Sequence, residues 1–211
     1  MLCLLRSLSL CFFCFSCCLF LQLSCQEGAY SISPGTDLIE EGMKDALSKG
    51  FKEIFLEPGV HIMTDWTSIT EEVTISGAGR GITFVQGYGF WITGEKGKKC
   101  TLMDITVQKT KQSGLSGKSG MSFDCLRMHF DQCCFGVYAS NTKGRLTNCQ
   151  ITQSVYSGVF CNNNSTIDIE GEETMIEKNN TSGDSDEYGL RAWSSSFIHI
   201  LSPLTKESIS K

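Results

Sequence analysis

The amino-acid sequence predicts an all-β fold, a right-handed parallel β-helix with an N-terminal capping helix. The first observation is a glycine that recurs at intervals of 25, 22, 22 and 31 residues, in the range of solenoid repeats. The second is that each interval holds short β-branched or aromatic runs broken by Gly, Asn and Ser, which favours coils of strand over helix pairs. We call these residues the marker glycines: Gly89, Gly114, Gly136, Gly158 and Gly189.

Residues 123–164 show the repeat most clearly, because they read as two consecutive copies of one pattern. If Met128 is placed over Ile151, with Gln132 as one extra residue, the marker glycines of the two copies coincide. Sliding the same template back along the chain finds earlier copies. This alignment predicts which residues of successive coils lie over one another.

The sequence divides into four parts. Residues 1–25 read as a secretory signal peptide, because Arg6 is followed by an apolar run rich in Leu, Phe and Cys. Residues 26–50 hold a polar lead-in and a segment with helical periodicity, which we expect to cap the first coil. The β-helix itself is predicted over 51–201, and 202–211 form a C-terminal tail.

The two ends carry further expectations. The leader predicts a secreted, extracellular protein with no membrane association after cleavage. The alternative is an uncleaved leader that anchors the chain in a membrane, since its apolar run is near the minimum length of a span. In the tail no segment is predicted to cover the last apolar layer. Two alternatives follow: the chain is truncated, or it associates with itself end to end.

The net charge and its distribution along the sequence limit the classes of partner that we expect. The formal net charge of −5 argues against a nucleic-acid partner. Residues 96–145 are nevertheless rich in Lys and Arg, whereas 163–187 are rich in Asp and Glu. Solvated turns account for such charge in most proteins. The alternative is a basic flank that attracts an anionic polymer.

The cysteines fall into two groups. Six of the twelve lie in the leader, and an even number follows it, which permits disulfides in a secreted chain without defining their pairing. The repeat places Cys149 and Cys161 at inward positions, where a free cysteine packs as a small hydrophobe. The cysteines outside the leader are Cys100, Cys125, Cys133, Cys134, Cys149 and Cys161.

Several segments together resemble a known group of proteins. A capping helix is followed by KEIFLEPGVHIM, VTISGAG and the coil LTNCQITQSVYSGVFCNNN. These segments look like the pectin-lyase-like superfamily, and within it like the β-helix repeats of CASH and F-box-associated proteins. The likeness covers roughly 33–201. It implies the right-handed β-helix fold and leaves the activity open, because this scaffold hosts many functions.

Strand alternation predicts one outer wall with binding potential. The second residue after each marker glycine points outward, on successive coils about 4.8 Å apart. Aromatic side chains in such a row could stack on sugar rings. The alternative is a stack that stabilises the sheet or lies under a loop. The predicted row consists of Trp91, Ser116, Tyr138, Phe160 and Arg191, of which Trp91, Tyr138, Phe160 and Arg191 are the candidate ligand-binding residues.

A second wall holds the candidate catalytic residues. We expect Leu126, Met128 and Phe130 to point inward, so the alternate residues share an outward face. An Arg in such a cluster could bind a carboxylate or act as an unusual base in uronate elimination, and His or Asp could carry protons. The alternative is an ordinary solvated strand face. The candidate catalytic residues are Arg127, His129 and Asp131.

The resemblance also implies what an enzyme of this fold would need. Its lyases cluster acidic calcium ligands on adjacent coils, and its hydrolases carry paired aspartates. Here Asp104 and Asp124 are nearly alone in the basic region. Glycosidases need two carboxylates at a set separation, and no adjacent-coil pair is evident. A catalytic motif is therefore not predicted.

The polar insertion at 179–187 and its surroundings hold the remaining candidate sites. Asp184, Asp186 and Glu187 could hold calcium, although no EF-hand spacing is present, and the alternative is an unliganded flexible loop. No other cofactor or metal is predicted. Four asparagines begin glycosylation sequons in a secreted chain. They are Asn163, Asn164, Asn179 and Asn180.

From these features we predict a secreted β-helix that binds an extended extracellular polymer, a polysaccharide, along its side wall. One alternative is a polysaccharide lyase or glycoside hydrolase of the pectin-lyase-like fold. Another is a non-catalytic protein-interaction scaffold. Binding to polysaccharides with and without product release separates these hypotheses.

Overall fold

The computed structural model describes residues 28–35 and 38–209, so the predicted leader lies outside the described residues. Within these ranges the predicted parallel β-helix is confirmed. From the second strand onward, successive strands join three sheets in turn, and all pairs between named strands are parallel. No helix in the described part is long and apolar enough to cross a membrane.

Sheet 1 has eight strands and runs the length of the solenoid. Its strands are β1 (Tyr30–Ile32), β2 (Glu53–Leu56), β5 (Val73–Gly77), β8 (Lys99–Met103), β11 (Ser122–Leu126), β14 (Lys143–Thr147), β17 (Thr166–Glu170) and β20 (Phe197–Ile200).

Sheets 2 and 3 have six strands each. Sheet 2 contains β3 (Gly59–Met63), β6 (Thr83–Gly87), β9 (Thr106–Thr110), β12 (His129–Asp131), β15 (Gln150–Thr152) and β18 (Met175–Glu177). Sheet 3 contains β4 (Ser68–Ile69), β7 (Phe90–Thr93), β10 (Leu115–Lys118), β13 (Val137–Ser140), β16 (Val159–Asn162) and β19 (Leu190–Ala192).

The core is a set of stacks that run along the solenoid axis. Parallel, in-register pairing puts the same position of successive coils over one another, and alternation turns every second side chain inward. In sheet 1 one such stack is fully buried, and each of its Ile and Leu members contributes about 1.5–3 kcal/mol by leaving water. Its members are Ile75, Leu102, Cys125, Leu146 and Ile169.

The marker glycines also form a column, directly before the strands of sheet 3. The amide of Leu115 donates to the carbonyl of Gly136 at 3.1 Å, and the amide of Val137 donates to that of Gly158 at 2.9 Å. A Cβ added at Gly136 would lie 2.6 Å from the Gly158 carbonyl oxygen. Glycine is therefore required here by the close approach of two backbones.

The register within the predicted repeat was wrong by two residues. The structure pairs Phe130, not Met128, with Ile151. The extra residue lies in the second copy, in the turn after β15, and is not Gln132. A slip of two residues keeps the same side chains on the inner face, so the apolar pattern alone does not distinguish the two registers.

The chain turns between sheets 1 and 2 through a left-handed residue on successive coils. Asp104, Arg127 and Asn148 have φ angles of 59°, 51° and 53°. Asp and Asn tolerate this conformation because their short side chains bond locally, whereas an Arg adopts it at greater cost. The strand therefore ends before Arg127. Cys125 points inward, and Leu126, which was predicted to do so, is only half-buried.

The N-terminal cap is helix α1 (Ile39–Ser48), close to the predicted segment. Its buried face contains Ile39, Met43 and Ala46, and it contacts β1 and β3. The polar lead-in before it contains a short strand, β1, that the sequence did not indicate, because only three residues pair with β2.

The C-terminal tail also packs on the core. β20 ends at Ile200, next to the predicted end of the β-helix at 201, and a short helix, α2 (Lys206–Ile209), follows it. Leu204 and Ile209 are buried in the same apolar cluster as Ile176. The sequence indicated no cap here because one helical turn leaves no periodicity to detect. End-to-end self-association stays a prediction.

The six cysteines outside the leader are free thiols, so the disulfides that their number permits are not formed. Five are buried, and Cys149 and Cys161 occupy the inward positions predicted for them. Burial raises the pKa of Cys149 and of Cys161 to about 12 each. These thiols act as packing groups.

The glycine column gives a first prediction. Gly136→Ala should destabilise the fold by about 3 kcal/mol, at the upper end of overpacking costs, because a backbone carbonyl cannot move without breaking the strand ladder. At Gly189 the nearest atom to an added Cβ is 3.9 Å away. Gly189→Ala is therefore the matched control. Equal urea-unfolding midpoints for the two variants would contradict the role of the column.

Candidate functional site

The outer face of sheet 3 brings the predicted row together. Register pairs Trp91 with Ser116, Ser116 with Tyr138, Tyr138 with Phe160, and Phe160 with Arg191. The five side chains thus lie on neighbouring strands. Additional aromatic residues from the flanking loops touch this row. We call the whole surface the aromatic wall: Trp66, Tyr88, Trp91, Ser116, Lys118, Phe135, Tyr138, Tyr156, Phe160, Arg191 and Trp193.

A first aromatic cluster lies at the N-terminal end of the wall. The ring of Trp66 lies 5.0 Å from that of Trp91, in an edge-to-face arrangement, and 5.7 Å from that of Tyr88. Such pairs contribute about 0.5–1.5 kcal/mol beyond their buried area. The indole nitrogen of Trp91 is buried and has no hydrogen-bond partner among the described residues.

A second aromatic cluster centres on Phe135. Its ring lies 5.2 Å from Tyr156, 5.8 Å from Phe160 and 6.1 Å from Tyr138. Tyr138 and Phe160 meet edge-to-face at 5.5 Å. Phe135 and Tyr156 come from the turns that lead from sheet 2 into sheet 3. Successive coils therefore join strand and loop aromatics into one surface.

Two cations connect the aromatic rings. The Lys118 ammonium lies 5.2 Å above Trp91 and 5.6 Å above Tyr138, where the small Ser116 leaves room between them. The Arg191 guanidinium lies 4.9 Å from the ring of Phe160 and 5.3 Å from that of Trp193. Both distances suit a cation–π contact. Aromatic and cationic groups thus alternate along the wall.

The wall residues differ in their exposure to a ligand. Phe160 is only 8 % exposed, because Phe135 and Arg191 lie against it. Trp193 is 61 % exposed and Tyr156 is 37 % exposed. Tyr138 is half-buried. The residues that a ligand would touch directly are therefore Tyr138, Tyr156 and Trp193, with Phe160 as their support.

The polar insertion forms one rim of the wall. The amide of Asn180 donates to the Tyr156 carbonyl at 2.9 Å, and that of Ser182 donates to Val155 at 3.0 Å. At its end, Glu187 accepts hydrogen bonds from the backbone and hydroxyl of Ser157 at 3.1 and 2.5 Å. Its other carboxylate oxygen pairs with Arg191. The insertion thereby fixes the guanidinium over the wall.

The insertion does not gather its acidic side chains around one point. Glu187 faces Arg191 and Ser157, while Asp184 accepts a hydrogen bond from the Asp186 amide at 3.1 Å. In the described ranges no group of three or more His, Cys, Asp or Glu side chains could hold a metal ion.

The four sequon asparagines have different surroundings. Asn163 donates to the Ser140 hydroxyl, Asn179 to the Ile151 carbonyl, and Asn180 to two carbonyls of its own loop. The exposed Asn164 side chain makes no hydrogen bond within the described part of the chain. Glycosylation at all four stays a prediction.

The candidate catalytic residues lie on sheet 2 and its corner. Arg127 occupies the left-handed turn and forms a bidentate pair with Asp104, at 2.7 and 2.6 Å, which raises the pKa of Arg127. It makes no hydrogen bond to His129 or Asp131. The structure therefore separates Arg127 from the other two residues, and the catalytic role of all three stays a prediction.

His129 and Asp131 share the outer face of β12 and are connected through Thr152. The Thr152 hydroxyl donates to Asp131 at 2.7 Å and lies 2.9 Å from His129 Nε2. Because that hydroxyl proton points to Asp131, Nε2 is the donor to Thr152. Gln132 and Gln153 also donate to Asp131, at 3.0 and 3.2 Å. The Asp131 carboxylate therefore accepts hydrogen bonds from three neighbouring side chains.

A carboxylate that sequence reasoning missed lies in the same row. Asp131 pairs with Thr152, and Thr152 pairs with Glu177. Two strand spacings separate the acidic residues by about 10 Å along the sheet. Inverting glycosidases hold their carboxylates about 6.5–9.5 Å apart. The row was missed because its members are two coils apart.

Sequence reasoning also missed the wall residues outside the row. Lys118 was not singled out because its role depends on rings of neighbouring coils. Two of the loop aromatic residues could have been predicted from their position, because Tyr88 and Phe135 directly precede marker glycines. That regular position identifies residues that flank the same sheet.

Comparisons with known proteins concern the fold. No family model and no curated protein matches the chain. One similar solved structure is the catalytic domain of a GH87 α-1,3-glucanase variant in complex with tetrasaccharides, with a TM-score of 0.61 at 15 % identity over 84 % of this chain and 40 % of that chain. Another is a GH87 α-1,3-glucanase catalytic domain in complex with nigerose. It has a TM-score of 0.61 at 16 % identity, over 83 % of this chain and 34 % of that chain.

The chain therefore spans less than half of either matched structure. At such identities the similarity establishes the fold alone. It supports the β-helix part of the predicted resemblance. The closer likeness to CASH and F-box-associated repeats stays a prediction.

The environment of His129 gives a pH-dependent prediction. Burial lowers the pKa of His129, Arg80 lowers it further, and Asp131 opposes both. The unfolded chain therefore takes up a proton at His129 more readily than the folded protein does. The free energy of unfolding consequently decreases as the pH falls from about 6.5, the pKa of an unfolded histidine, through the lower pKa of His129 in the folded protein.

We expect His129→Gln to lose less stability than the wild type between about pH 7.5 and pH 5, because glutamine does not titrate. Gln150 occupies the adjacent position of the next strand, so glutamine fits this face. Urea unfolding at the two pH values measures the difference. An identical loss in both proteins would contradict this account.

Proposed function

We propose that this protein binds polysaccharide along the aromatic wall. The observation that carries the proposal is a continuous row of aromatic and cationic side chains on one parallel sheet. The sugar-bound β-helix structures described above support it at the level of the fold.

The wall has dimensions and chemistry that suit a polymer. Its row crosses five strands, from β7 to β19, and so extends about 19 Å. Aromatic faces offer broad, rigid contact to the apolar faces of sugar rings. Lys118 and Arg191 supply hydrogen-bond donors between these faces. A chain of several sugar units would contact successive coils.

Binding without cleavage fits the wall better than hydrolysis. Glycoside hydrolysis needs two carboxylates beside the scissile bond. The outward positions on strands β7, β10, β13, β16 and β19 hold none. They are Trp91, Thr93, Ser116, Lys118, Tyr138, Ser140, Phe160, Asn162 and Arg191.

A hydrolase is the second candidate, and one specific observation favours it. Asp131 and Glu177 lie in one row of sheet 2, with His129 beside them. Product release from a polysaccharide panel, lost in Asp131→Asn and in Glu177→Gln, would support it. A lyase would instead release unsaturated ends in an Arg127-dependent manner, while a protein-interaction scaffold would neither bind nor cleave the panel.

We also propose that the protein acts outside the cell, as the predicted leader over 1–25 suggests. An extracellular location would expose it to polysaccharides and permit glycosylation at the sequons. Mass spectrometry of the protein from a secretory host tests both: the mature N-terminus and occupied asparagines should be found in the medium. A chain retained in the membrane fraction with residues 1–25 attached would favour the anchored alternative.

Binding through the wall gives a third prediction. Tyr138→Ala and Trp193→Ala should each weaken binding to the best polysaccharide of a panel about tenfold, the loss that corresponds to ~1.4 kcal/mol of stacking contact. Affinity electrophoresis in gels containing the polysaccharide measures this.

Phe197→Ala is the matched control, because Phe197 is an exposed aromatic residue on sheet 1 that is not part of the wall. It should bind like the wild type. If all three variants bind equally well, the wall is not the binding surface.

A further inference from the structure

We propose that a groove beside the aromatic wall binds the carboxylate or sulfate groups of an acidic polysaccharide. This inference rests on the proposed function and names the class of polymer that the wall takes. The groove has a volume of about 500 Å³. It is lined by Lys96, Gly97, Ser119, Gly120, Ser122, Asn141, Thr142, Lys143 and Asn164.

The groove adjoins the wall because of chain order. The strands of sheet 3 end at Thr93, Lys118, Ser140 and Asn162. Groove residues follow directly in the turns that lead to sheet 1, so that Ser119 comes after Lys118. A polymer on the wall therefore has its substituents within reach of the groove.

The cations of the groove have no acidic partner. Lys96 and Lys143 make no ion pair within 4.0 Å among the described residues, and no carboxylate lines the cavity. Lys98 and Lys99, on the same coil as Lys96, are paired with Glu71 and Asp124. Among the three lysines at 96–99, the one that lines the cavity is therefore the one without an acidic partner.

Lys118 extends this positive strip onto the wall. It has no carboxylate partner and lies above the rings of Trp91 and Tyr138. Its ammonium can meet an anionic substituent while the sugar ring lies on the aromatic surface. Stacking and charge recognition thus act on the same sugar unit.

Neutral donors of the groove are also unused. The side chains of Ser119 and Asn141 make no hydrogen bond within the described part of the chain. An oxyanion prefers several N–H and O–H donors together with an ammonium group. Ordinary solvated turns need no such convergence around one cavity. The combination matches a carboxylate or sulfate.

The overall charge makes the site selective. With a formal net charge of −5, the chain as a whole repels an anionic polymer. A local positive strip beside the wall then fixes the position at which such a polymer can approach. Electrostatic complementarity of this kind mainly determines register and specificity.

The test uses two pairs of polymers that share a backbone: dextran with dextran sulfate, and hydroxyethyl cellulose with carboxymethyl cellulose. Protein from a host that does not glycosylate keeps Asn164 unmodified. The double variant Lys96→Gln, Lys143→Gln removes the groove cations. Lys44→Gln, Lys206→Gln is the matched control, since it makes the same charge change on exposed lysines of the two helices.

We expect the wild type to bind the charged member of a pair at least tenfold more tightly at low salt. The groove variant should lose this preference and keep its affinity for the neutral member, while the control variant keeps both. Raising the salt concentration should reduce the difference, because added ions screen exposed charges.

The outcomes separate this inference from the proposed function. If neutral polymers bind through Tyr138 while the charged members gain nothing, the inference is overturned and the proposed function stands. A charge preference that the control variant loses as strongly as the groove variant also overturns the inference. If Tyr138→Ala leaves binding to every polysaccharide unchanged, the proposed function fails.

Discussion

The close approach of backbones at the marker glycines is the constraint on which the rest of the structure depends. Any side chain at Gly136 would strike the Gly158 carbonyl of the next coil. With glycine there, sheet 3 stacks coil on coil in register, and the residue two positions later always faces outward. The aromatic wall is a direct consequence of this column.

Rigid placement is what gives the wall its value as a binding surface. Phe160 lies beneath its neighbours, and Lys118 is held between two rings. Glu187 and Ser157 fix Arg191 in the same way. A ligand therefore meets side chains that have already lost much of their rotamer freedom, which lowers the entropic cost of binding.

The sequence allowed the fold and the main row of the wall to be predicted, because both follow from a strict repeat. The register near Met128 was predicted wrongly because a slip of two residues leaves the inward pattern unchanged. The orientation of Leu126 was predicted wrongly because the left-handed residue Arg127 interrupts the alternation. The Arg127–Asp104 pair and the position of Lys118 depend on contacts between coils that spacing alone does not reveal. Short elements such as β1 and α2 were missed for lack of periodicity.

The central claim is that a polysaccharide lies on the aromatic wall. Intrinsic tryptophan fluorescence can test this claim directly. Its three tryptophans, Trp66, Trp91 and Trp193, all belong to the wall. Titration with a polysaccharide from the panel, followed by tryptophan fluorescence, should shift the emission to shorter wavelength and saturate, because sugar rings displace water from Trp193. Binding that is detected independently but leaves tryptophan emission unchanged would contradict the account.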